Sequence, residues 1–397
     1  MFDRIIAPNI LFAAISGLSL RRSGTIRPVM RAFDTKAFDP AISWARKHER
    51  QISALSLAGG FAFDSATFGR IDHALTQAVF IVYLLAAGIS IAVLHVLESR
   101  PDGKKPSDRT RTILVAATQF ALGCLLSGFC VFYIRSASIT SSWPFLLAMA
   151  AIFIGNEYMR RYHSRLVFSA LLFFFAIYSY AILLVPLVVN RMGRIPFLIS
   201  GGVAVLLFFF YMQALAGLGH ERYRSARMQV FAGMALITVF LNAAYFLRVL
   251  PPLPLVLTGA GVYHDIKHAG ADYQAAEEDE PPEWQALFGT HAIMHVQKGA
   301  KLFLYSAVFS PPELNARIVH VWQWLDPARG WQTQQRIPIQ IKGGREDGYR
   351  FYSVKSAPQP GQWQVNIMTG DGRSVGRVRF AVEEQAVPPA TKIKILK

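Results

Sequence analysis

The sequence is poor in charged residues and in cysteine. Charged residues make up 17% of its 397 residues, against roughly a quarter in soluble domains, while hydrophobic residues make up 53% and the mean hydropathy is +0.31. Both cysteines, Cys124 and Cys130, fall in one apolar run, and the last third has none. This composition excludes a chain that is soluble throughout, and it excludes a disulfide framework in the last third.

Sequence motifs of common catalytic centres are also missing. There is no Gly-x-Ser-x-Gly nucleophile elbow, no Gly-rich phosphate loop before Lys-Ser or Lys-Thr, and no cysteine with a nearby histidine. The sequence therefore identifies no catalytic residue and implies no cofactor, so we favour a protein that is not an enzyme.

Acidic residues are scarcest in the hydrophobic part of the chain. The net charge is +16, of which residues 1–256 carry +14 and residues 257–397 carry +2. A basic protein can bind nucleic acid, but here the excess lies in loops between apolar runs, which is a signal of membrane topology. We therefore expect no nucleic-acid partner.

Long apolar runs indicate membrane spans, each of which needs about 20 residues to cross the hydrocarbon core. Five runs are clear: Ala74–Leu97, Thr112–Ile134, Leu166–Val189, Ile195–Gly217 and Met228–Val249. Trp143–Met159 is shorter, and Ile52–Gly69 is interrupted by two glycines and Asp64. Together these runs predict an α-helical bundle with about seven transmembrane helices.

Basic residues in the loops predict the orientation, because cytoplasmic loops are enriched in Lys and Arg. With seven spans, 20 basic residues fall on one side and 5 on the other. Leaving out Ile52–Gly69 would place its nine preceding basic residues on the wrong side. We predict a cytoplasmic N-terminus and an outside C-terminus. The apolar run Ile5–Leu20 is expected at the membrane interface or poorly ordered, with an eighth span as the alternative.

A boundary follows the last apolar run. The prolines of Leu250-Pro-Pro-Leu-Pro-Leu255 cannot continue a helix, and the acidic stretch Glu277–Glu283 comes next. We therefore predict four parts: a basic cytoplasmic segment (1–51), a transmembrane domain (52–250), an extended linker (251–283) and a soluble β-rich domain (284–397).

The last part has the period of two that is typical of strands. Apolar and polar residues alternate in Gln362–Met368 and Ser374–Glu383, and Asp371-Gly372 between them predicts a hairpin turn. Further candidates are Leu302–Phe309, Ala316–Leu325, Gln332–Ile341 and Arg350–Ser356. Strands at this spacing predict a small antiparallel β-sandwich.

Several motifs carry a family resemblance: Gly59–Asp72, Tyr245–Leu255 with Gly261–Asp265, His320–Trp324, Arg350–Ser356 and Gly361–Ile367. Through them the chain, from about residue 52 to 384, resembles bacterial membrane proteins that end in the domain of unknown function 2914 (DUF2914). The resemblance implies a bacterial inner-membrane protein with a C-terminal β domain. It implies no activity and no site residue.

Asp64, Arg70 and Asp72 are candidate polar residues at the first span. A carboxylate in an apolar segment is costly unless it is paired or hydrated. Asp64 could bind a proton or a cation, but we favour an interfacial Asp–Arg pair that fixes the turn into the next helix.

Glu157 and Arg161 form a second candidate pair. They are four residues apart with the acid first, which is the favourable order on a helix. We interpret them as an anchor at a cytoplasmic helix end. A transport pathway is the alternative, although matching broken halves are not evident in the sequence.

Histidines of the last third include two pairs at four-residue spacing, His264 with His268 and His291 with His295. On a helix this spacing could bind a metal, but the segments have an extended pattern, in which four residues separate side chains by about 13 Å. We therefore predict no metal site.

His320, Trp322 and Trp324 share one face of a predicted strand. Exposed, they could bind a sugar or a peptide by stacking. Tryptophans packed between two sheets are the commoner case, and we favour that interpretation.

The leading functional hypothesis is a binding protein. In it, the helices lie in the lipid bilayer and hold a periplasmic sandwich that binds an envelope protein or glycan. The alternative is a small-solute or ion transporter, or a channel-like module, with an accessory periplasmic domain. The ligand and the oligomeric state do not follow from the sequence.

Overall fold

The computed structural model describes residues 61–62, 64–65, 73–99, 107–136, 139–158, 166–218, 220–270, 272–278, 292–311, 314–342 and 348–396. Within these residues, six long helices are followed by eleven strands. The helices are α1 (Ala74–Glu98), α2 (Asp108–Ser136), α3 (Ile139–Tyr158), α4 (Leu166–Val189), α5 (Arg194–Leu218) and α6 (His220–Phe246).

Five of these helices are long and apolar enough to cross a membrane. They correspond to the five clear apolar runs, and the segments are Ala74–Glu98, Thr110–Ser136, Leu166–Val189, Arg194–Leu218 and Ala226–Phe246. α3 contains only a shorter apolar stretch, Ser142–Asn156. The helices also expose large apolar side chains, such as Leu236 at 69% and Leu207 at 55%, as expected of a lipid-facing surface.

The count of seven spans is not confirmed. Most of Ile52–Gly69 lies outside the described residues, although Phe61, Ala62, Asp64 and Ser65 are helical. The run Ile5–Leu20 and the whole basic segment 1–51 lie outside them as well.

The chain divides into two compact units. Within the described residues, the first contains 61–131, 150–177 and 207–234, and the second contains 132–149, 178–206 and 235–396. Helices α2 to α6 therefore each have one end in each unit. The helix ends that share the second unit with the β region are those that the loop charges predict to face outside.

The strands are β1 (Val256–Tyr263), β2 (Asp265–Ala269), β3 (Asp272–Glu277), β4 (Ala292–Val296), β5 (Lys301–Phe309), β6 (Asn315–Asp326), β7 (Gly330–Lys342), β8 (Tyr349–Ser356), β9 (Gly361–Thr369), β10 (Ser374–Glu384) and β11 (Lys392–Leu396). All six strands expected from the alternating pattern are present as β5 to β10. These strands form where they were predicted because each has at least one face that must be buried.

The strands form three sheets in the described part of the chain, with orders β1-β5-β8, β4-β10-β9-β6-β7 and β11-β3-β2. The pairing is antiparallel except between β4 and β10, which run parallel. The expected two-sheet antiparallel sandwich is therefore incomplete as a description. It lacked the parallel strand and the third sheet.

The first two sheets share one apolar core. The β1-β5-β8 sheet contributes Leu304 and Phe351, and the five-stranded sheet contributes Trp322, Trp363 and Phe380. A second, smaller core containing Tyr273, Tyr305 and Leu396 covers the other face of the β1-β5-β8 sheet. This sheet is therefore the middle one of three layers, which explains why Leu302–Phe309 is almost continuously apolar.

The expected extended linker at residues 251–283 is wrong, because most of this segment forms strands. β1, β2 and β3 occupy residues 256–277, with residue 271 outside the described set. The prolines do end α6, but the following segment pairs with β5 and β11. The glycines and mixed polarity of this segment show no alternating pattern in the sequence. β1 is nevertheless a strand, because it pairs with β5 in the middle sheet.

Within the second unit, the β region is attached to the helix ends at two places. The amide of Asn315 at the start of β6 donates to the carbonyl of Asn190 after α4, at 3.4 Å, and Met192 packs on the main core. At the end of α6, the phenol of Tyr245 donates to Asp371 Oδ2 at 3.1 Å. The second contact places the β9–β10 hairpin beside the end of α6.

Candidate functional site

The candidate site lies on the face of the five-stranded sheet that points away from the main core. Because cross-strand partners point to the same side, the register places four side chains in one row on this face. The row runs from Arg336 on β7 through Val321 on β6 and Asn366 on β9 to Arg377 on β10. Three strand spacings separate its ends, which is roughly 14 Å.

A hydrogen-bond network organises the middle of this face. Gln323 Oε1 accepts from Gln364 Nε2 at 2.8 Å and from Asn366 Nδ2 at 2.7 Å. Asn366 Oδ1 in turn accepts from Arg377 Nε at 2.5 Å. The amides hold one edge of the Arg377 guanidinium, so this side chain has a defined direction.

Two adjoining cavities of about 370 and 400 Å³ lie over this row. Both are lined by Arg248, Val321, Arg336, Met368 and Gly372. The first also reaches Arg377, and the second also reaches Arg194 at the start of α5. We call this the arginine groove, defined by Arg194, Arg248, Arg336 and Arg377.

The backbone brings Arg248 close to the hairpin turn. Arg248 follows α6 with a φ of +62°, and Gly372 in the predicted Asp371-Gly372 turn has a φ of +86°. A Cβ added at Gly372 would lie 3.1 Å from Cζ of Arg248. Glycine therefore serves two needs here, the left-handed backbone and the close approach of a guanidinium.

Asp371 is the acidic residue among those that line the two cavities. Its Oδ2 accepts from Arg373 Nε at 3.0 Å and from Tyr245, and its Oδ1 accepts from the Thr369 hydroxyl. Burial alone would raise the pKa of Asp371, but the charge of Arg373 and these hydrogen bonds outweigh it and hold the pKa below its usual value. The carboxylate is thus ionised and already engaged.

The groove has an excess of positive charge as a result. The guanidinium of Arg373 lies 4.7 Å from the centre of the Tyr245 ring and balances Asp371. In the described part of the chain, Arg194, Arg248 and Arg336 form no salt bridge. Low-dielectric walls that carry charges of one sign focus the field on the space between them, so the groove is suited to an anion.

His320, Trp322 and Trp324 do not form an exposed platform. His320 and Trp322 are fully buried, and only Trp324 is half-buried, where its Nε1 donates to the carbonyl of Pro360 at 3.1 Å. The shared strand face is the core face, which is the alternative that the sequence favoured.

His320 is a polar link between the two sheets of the main core. Its Nε2 lies 2.9 Å from Ser306 Oγ and its Nδ1 lies 2.8 Å from Ser353 Oγ, while Trp322 Nε1 donates to Ser353 at 3.0 Å. Burial lowers the pKa of His320 to about 3. The imidazole is therefore neutral and structural near neutral pH.

The polar residues of the membrane part are described only in part. Asp64 Oδ2 accepts from the Ser127 hydroxyl of α2 at 2.5 Å. Arg70 and Asp72, the other two residues of this candidate set, lie outside the described residues, as does Arg161. Glu157 lies in the last turn of α3, and its pairing remains a prediction.

The histidines meet in a way that their spacing does not predict. His264 Nε2 lies 2.6 Å from Glu278 Oε1, and His295 Nδ1 lies 2.9 Å from Glu278 Oε2, so one member of each pair shares a carboxylate. The ring of His268 instead lies 4.2 Å from that of Tyr273 at a tilt of 44°, and His291 lies outside the described set. Among the described residues, no group of three or more His, Cys, Asp or Glu side chains could hold a metal ion.

The arginine groove was not predicted from the sequence. In the sequence, Arg194 and Arg248 are charges of two loops, and Arg377 lies on the polar side of a predicted strand. Arg194 and Arg248 do fall at helix ends on the predicted outside, where basic residues are few. Their meeting with Arg336 depends on the register between strands that are distant in the sequence.

The solved structures that match this chain include two proteins from Pseudomonas, both at low sequence identity. An immunoglobulin-like protein from Pseudomonas aeruginosa is 13% identical, with 31% of this chain and 97% of that chain covered and a TM-score of 0.18. The alkylpurine DNA glycosylase AlkC of Pseudomonas fluorescens, bound to DNA containing an abasic site analogue, is 11% identical, with 95% and 98% covered and a TM-score of 0.18. At these TM-scores neither likeness supports an argument about fold or function.

Comparison with curated proteins finds no match. The family model of DUF2914, a protein family of unknown function, matches residues 315–382. These residues run from β6 into β10 and contain the hairpin at Asp371 and two of the four groove arginines, Arg336 and Arg377. The match confirms the suspected family over residues 315–382, which contain the motifs at His320–Trp324, Arg350–Ser356 and Gly361–Ile367.

Proposed function

We propose that this protein is a membrane-anchored binding protein whose β region binds a component of the bacterial envelope. The observation that carries the proposal is the arginine groove, a formed cavity on the DUF2914 region beside two helix ends. On one side of the groove, Gln323, Asn366 and Arg377 are held by hydrogen bonds, as expected of a site that is partly preformed. The binding surface is thus opposite to the aromatic face that the sequence suggested.

The topology that accompanies this proposal has seven spans in the inner membrane. The N-terminus is cytoplasmic and the β region is periplasmic. The 20-to-5 division of basic residues supports it, and so does the grouping of the β region with the poorly charged helix ends.

Labelling of single introduced cysteines tests the topology. In a chain with Cys124→Ala and Cys130→Ala, a cysteine at Ala328, in the exposed β6–β7 turn, should react with a membrane-impermeant maleimide in spheroplasts. A cysteine at Ser107, the exposed residue before α2, should react only after lysis. The reverse pattern would contradict the topology.

Site-specific crosslinking tests the binding function. A photoreactive amino acid at position 336 of the full chain, in living cells, should give an adduct with an envelope lipid, glycan or protein. The matched control is position 329, which is exposed on the same β6–β7 hairpin but outside the groove. Adducts that are absent at 336, or equal at both positions, would contradict a binding function for the groove.

A transport function is a second candidate, favoured by the hydrogen bond between Asp64 and Ser127 in the helical part. Ionisable groups among membrane helices commonly mark ion or proton pathways. The test is replacement of Asp64 by Asn and Glu157 by Gln in the full chain. If ion or solute flux into proteoliposomes disappears while insertion is normal, the chain is a transporter; if no flux is measured even in the wild type, it is not.

A further inference from the structure

The arginine groove has a lining that selects for one ligand chemistry. Guanidinium groups present planar pairs of N–H donors that match the oxygens of phosphate and carboxylate. Arg194, Arg248, Arg336 and Arg377 come from four different elements and converge on two adjoining cavities. A single carboxylate ligand can engage one or two such forks, whereas the tetrahedral oxygens of a phosphate can be approached from several directions.

The groove holds its positive charges without internal compensation. Asp371 is occupied by Arg373, Tyr245 and Thr369, and both cavities include Arg248 and Arg336. Like charges that line one groove repel one another and disfavour the compact state. A bound anion with more than one charged oxygen would remove this repulsion.

The position of the groove relates it to the membrane surface. Arg194 is the first residue of the apolar helix α5, and Arg248 lies two residues beyond the end of α6. The ends of spanning helices lie in the headgroup region of a bilayer. Lipid phosphates are concentrated at this level, while soluble phosphate esters reach it from the aqueous side.

The size of the groove also fits. Cavities of about 370 and 400 Å³ fall within the roughly 300–1,000 Å³ that is typical of sites for small ligands. They exceed what an isolated inorganic ion needs, and leave room for the glycerol or sugar to which a phosphate is esterified.

We propose that the arginine groove binds a phosphate ester, with the phosphate held between Arg248 and Arg336 and flanked by Arg194 and Arg377. This inference rests on the proposed binding function and names its ligand class. The shared chemistry is a phosphate monoester or diester, either in a lipid headgroup or in a soluble molecule.

The test measures ligand binding by the full chain in maltoside detergent, which contains no phosphate. Native mass spectrometry follows the binding of phosphatidylglycerol and, as a matched anionic lipid without phosphate, sulfoquinovosyl diacylglycerol. Calorimetry with glycerol 1-phosphate and with inorganic phosphate forms the soluble arm. Preference for phosphatidylglycerol over glycerol 1-phosphate identifies the lipid source, and the opposite preference identifies a soluble ester.

The variants are Arg336→Gln, Arg336→Lys and the double variant R336Q/R377Q, with Arg329→Gln as the control of equal charge change. Each lost arginine should weaken binding of the phosphate ligand about 10-fold or more, R336K should lose less than R336Q, and R329Q should bind as the wild type. Thermal unfolding verifies that every variant is folded.

Two results would overturn the inference. One is equal binding of the sulfonate lipid and the phosphate ligands, and the other is unchanged phosphate binding by R336Q/R377Q. If crosslinking at position 336 instead captures a neutral glycan or a peptide, the inference fails while the proposed binding function stands. If position 336 captures nothing, both fail.

Discussion

The two faces of the five-stranded sheet treat polar side chains in opposite ways. On the core face, His320 and Trp322 are fully buried, and their polar atoms reach Ser306 and Ser353. On the opposite face, arginines border open cavities, and only part of their hydrogen-bonding capacity is used within the described chain. Polar residues whose hydrogen-bonding groups satisfy one another stabilise the fold, and those that retain free donors can bind a ligand.

The comparison also shows that a residue type that is common in binding sites is not always accessible to a ligand. Tryptophan and histidine are common in binding sites, which is why they attracted a functional interpretation in the sequence. Their large rings are equally suited to filling the space between two sheets. Each arginine taken alone is an ordinary surface residue. The four become a candidate site only because the fold places them around the same two cavities.

The largest effect should follow from Trp322→Ala. Removing a fully buried indole from between the sheets should lower the free energy of unfolding by about 3–5 kcal/mol. Trp324→Ala, at the half-buried end of the same strand, should cost clearly less. Thermal unfolding of the full chain in detergent measures both, and equal losses would mean that the two indoles do not differ in burial.

A pH effect of about 3 kcal/mol should come from His320. Its pKa is about 3 in the folded state, because of burial, and about 6.5 when unfolded. Above pH 6.5 both states are neutral; below it only the unfolded chain gains the proton, so stability falls by about 1.4 kcal/mol per pH unit. Between pH 6.5 and 4.5, His320→Gln should therefore show a flatter decline in unfolding temperature than the wild type.

An intermediate effect is expected at the hairpin. Asp371→Asn removes the charge that faces the buried Arg373, and it weakens the bond from Tyr245. The loss should be about 1.5–3 kcal/mol, the range for hydrogen bonds to charged groups. Asp265→Asn, which loses an exposed pair with Lys267, is the control and should change stability by less than about 0.5 kcal/mol. Chemical unfolding of both variants decides whether Asp371 is a structural contact.

The smallest effect on stability should come from the groove itself. Arg336→Gln should change the free energy of unfolding by at most about 0.5 kcal/mol, and in the stabilising direction at low salt, because it relieves repulsion among like charges. Unfolding temperatures at low and high ionic strength measure this difference. A large loss of stability on this substitution would mean that Arg336 supports the fold, and the contrast between the faces would be lost.

Much of the fold could be predicted because single segments carry their own periodicity. Four of the five clear apolar runs became helices within a few residues of their expected ends, and α6 begins eight residues before its run. The strands β9 and β10 follow the alternating pattern, whereas β5 is almost continuously apolar. The hairpin at Asp371-Gly372 was predictable from its turn residues, since glycine tolerates the left-handed backbone. These features depend on local sequence and on one buried face.

The remaining features depend on partners that are distant in the chain. β1 is a strand because β5 pairs with it, and β4 joins the sheet by parallel pairing with β10. Neither leaves a pattern that can be distinguished from a loop in a short, mixed segment. The arginine groove is of the same kind, since Arg194 and Arg377 are 183 positions apart in the printed sequence.

The middle sheet of the β region has a consequence for how the sequence can vary. Alternate residues of β5 point into the main core and into the smaller one. Neither face of this strand is therefore free to accept substitutions. A change of volume at Leu304 must be absorbed by one core, and a change at Tyr305 by the other. Among relatives, Leu302–Phe309 should therefore tolerate the fewest substitutions, even though it lies away from the groove.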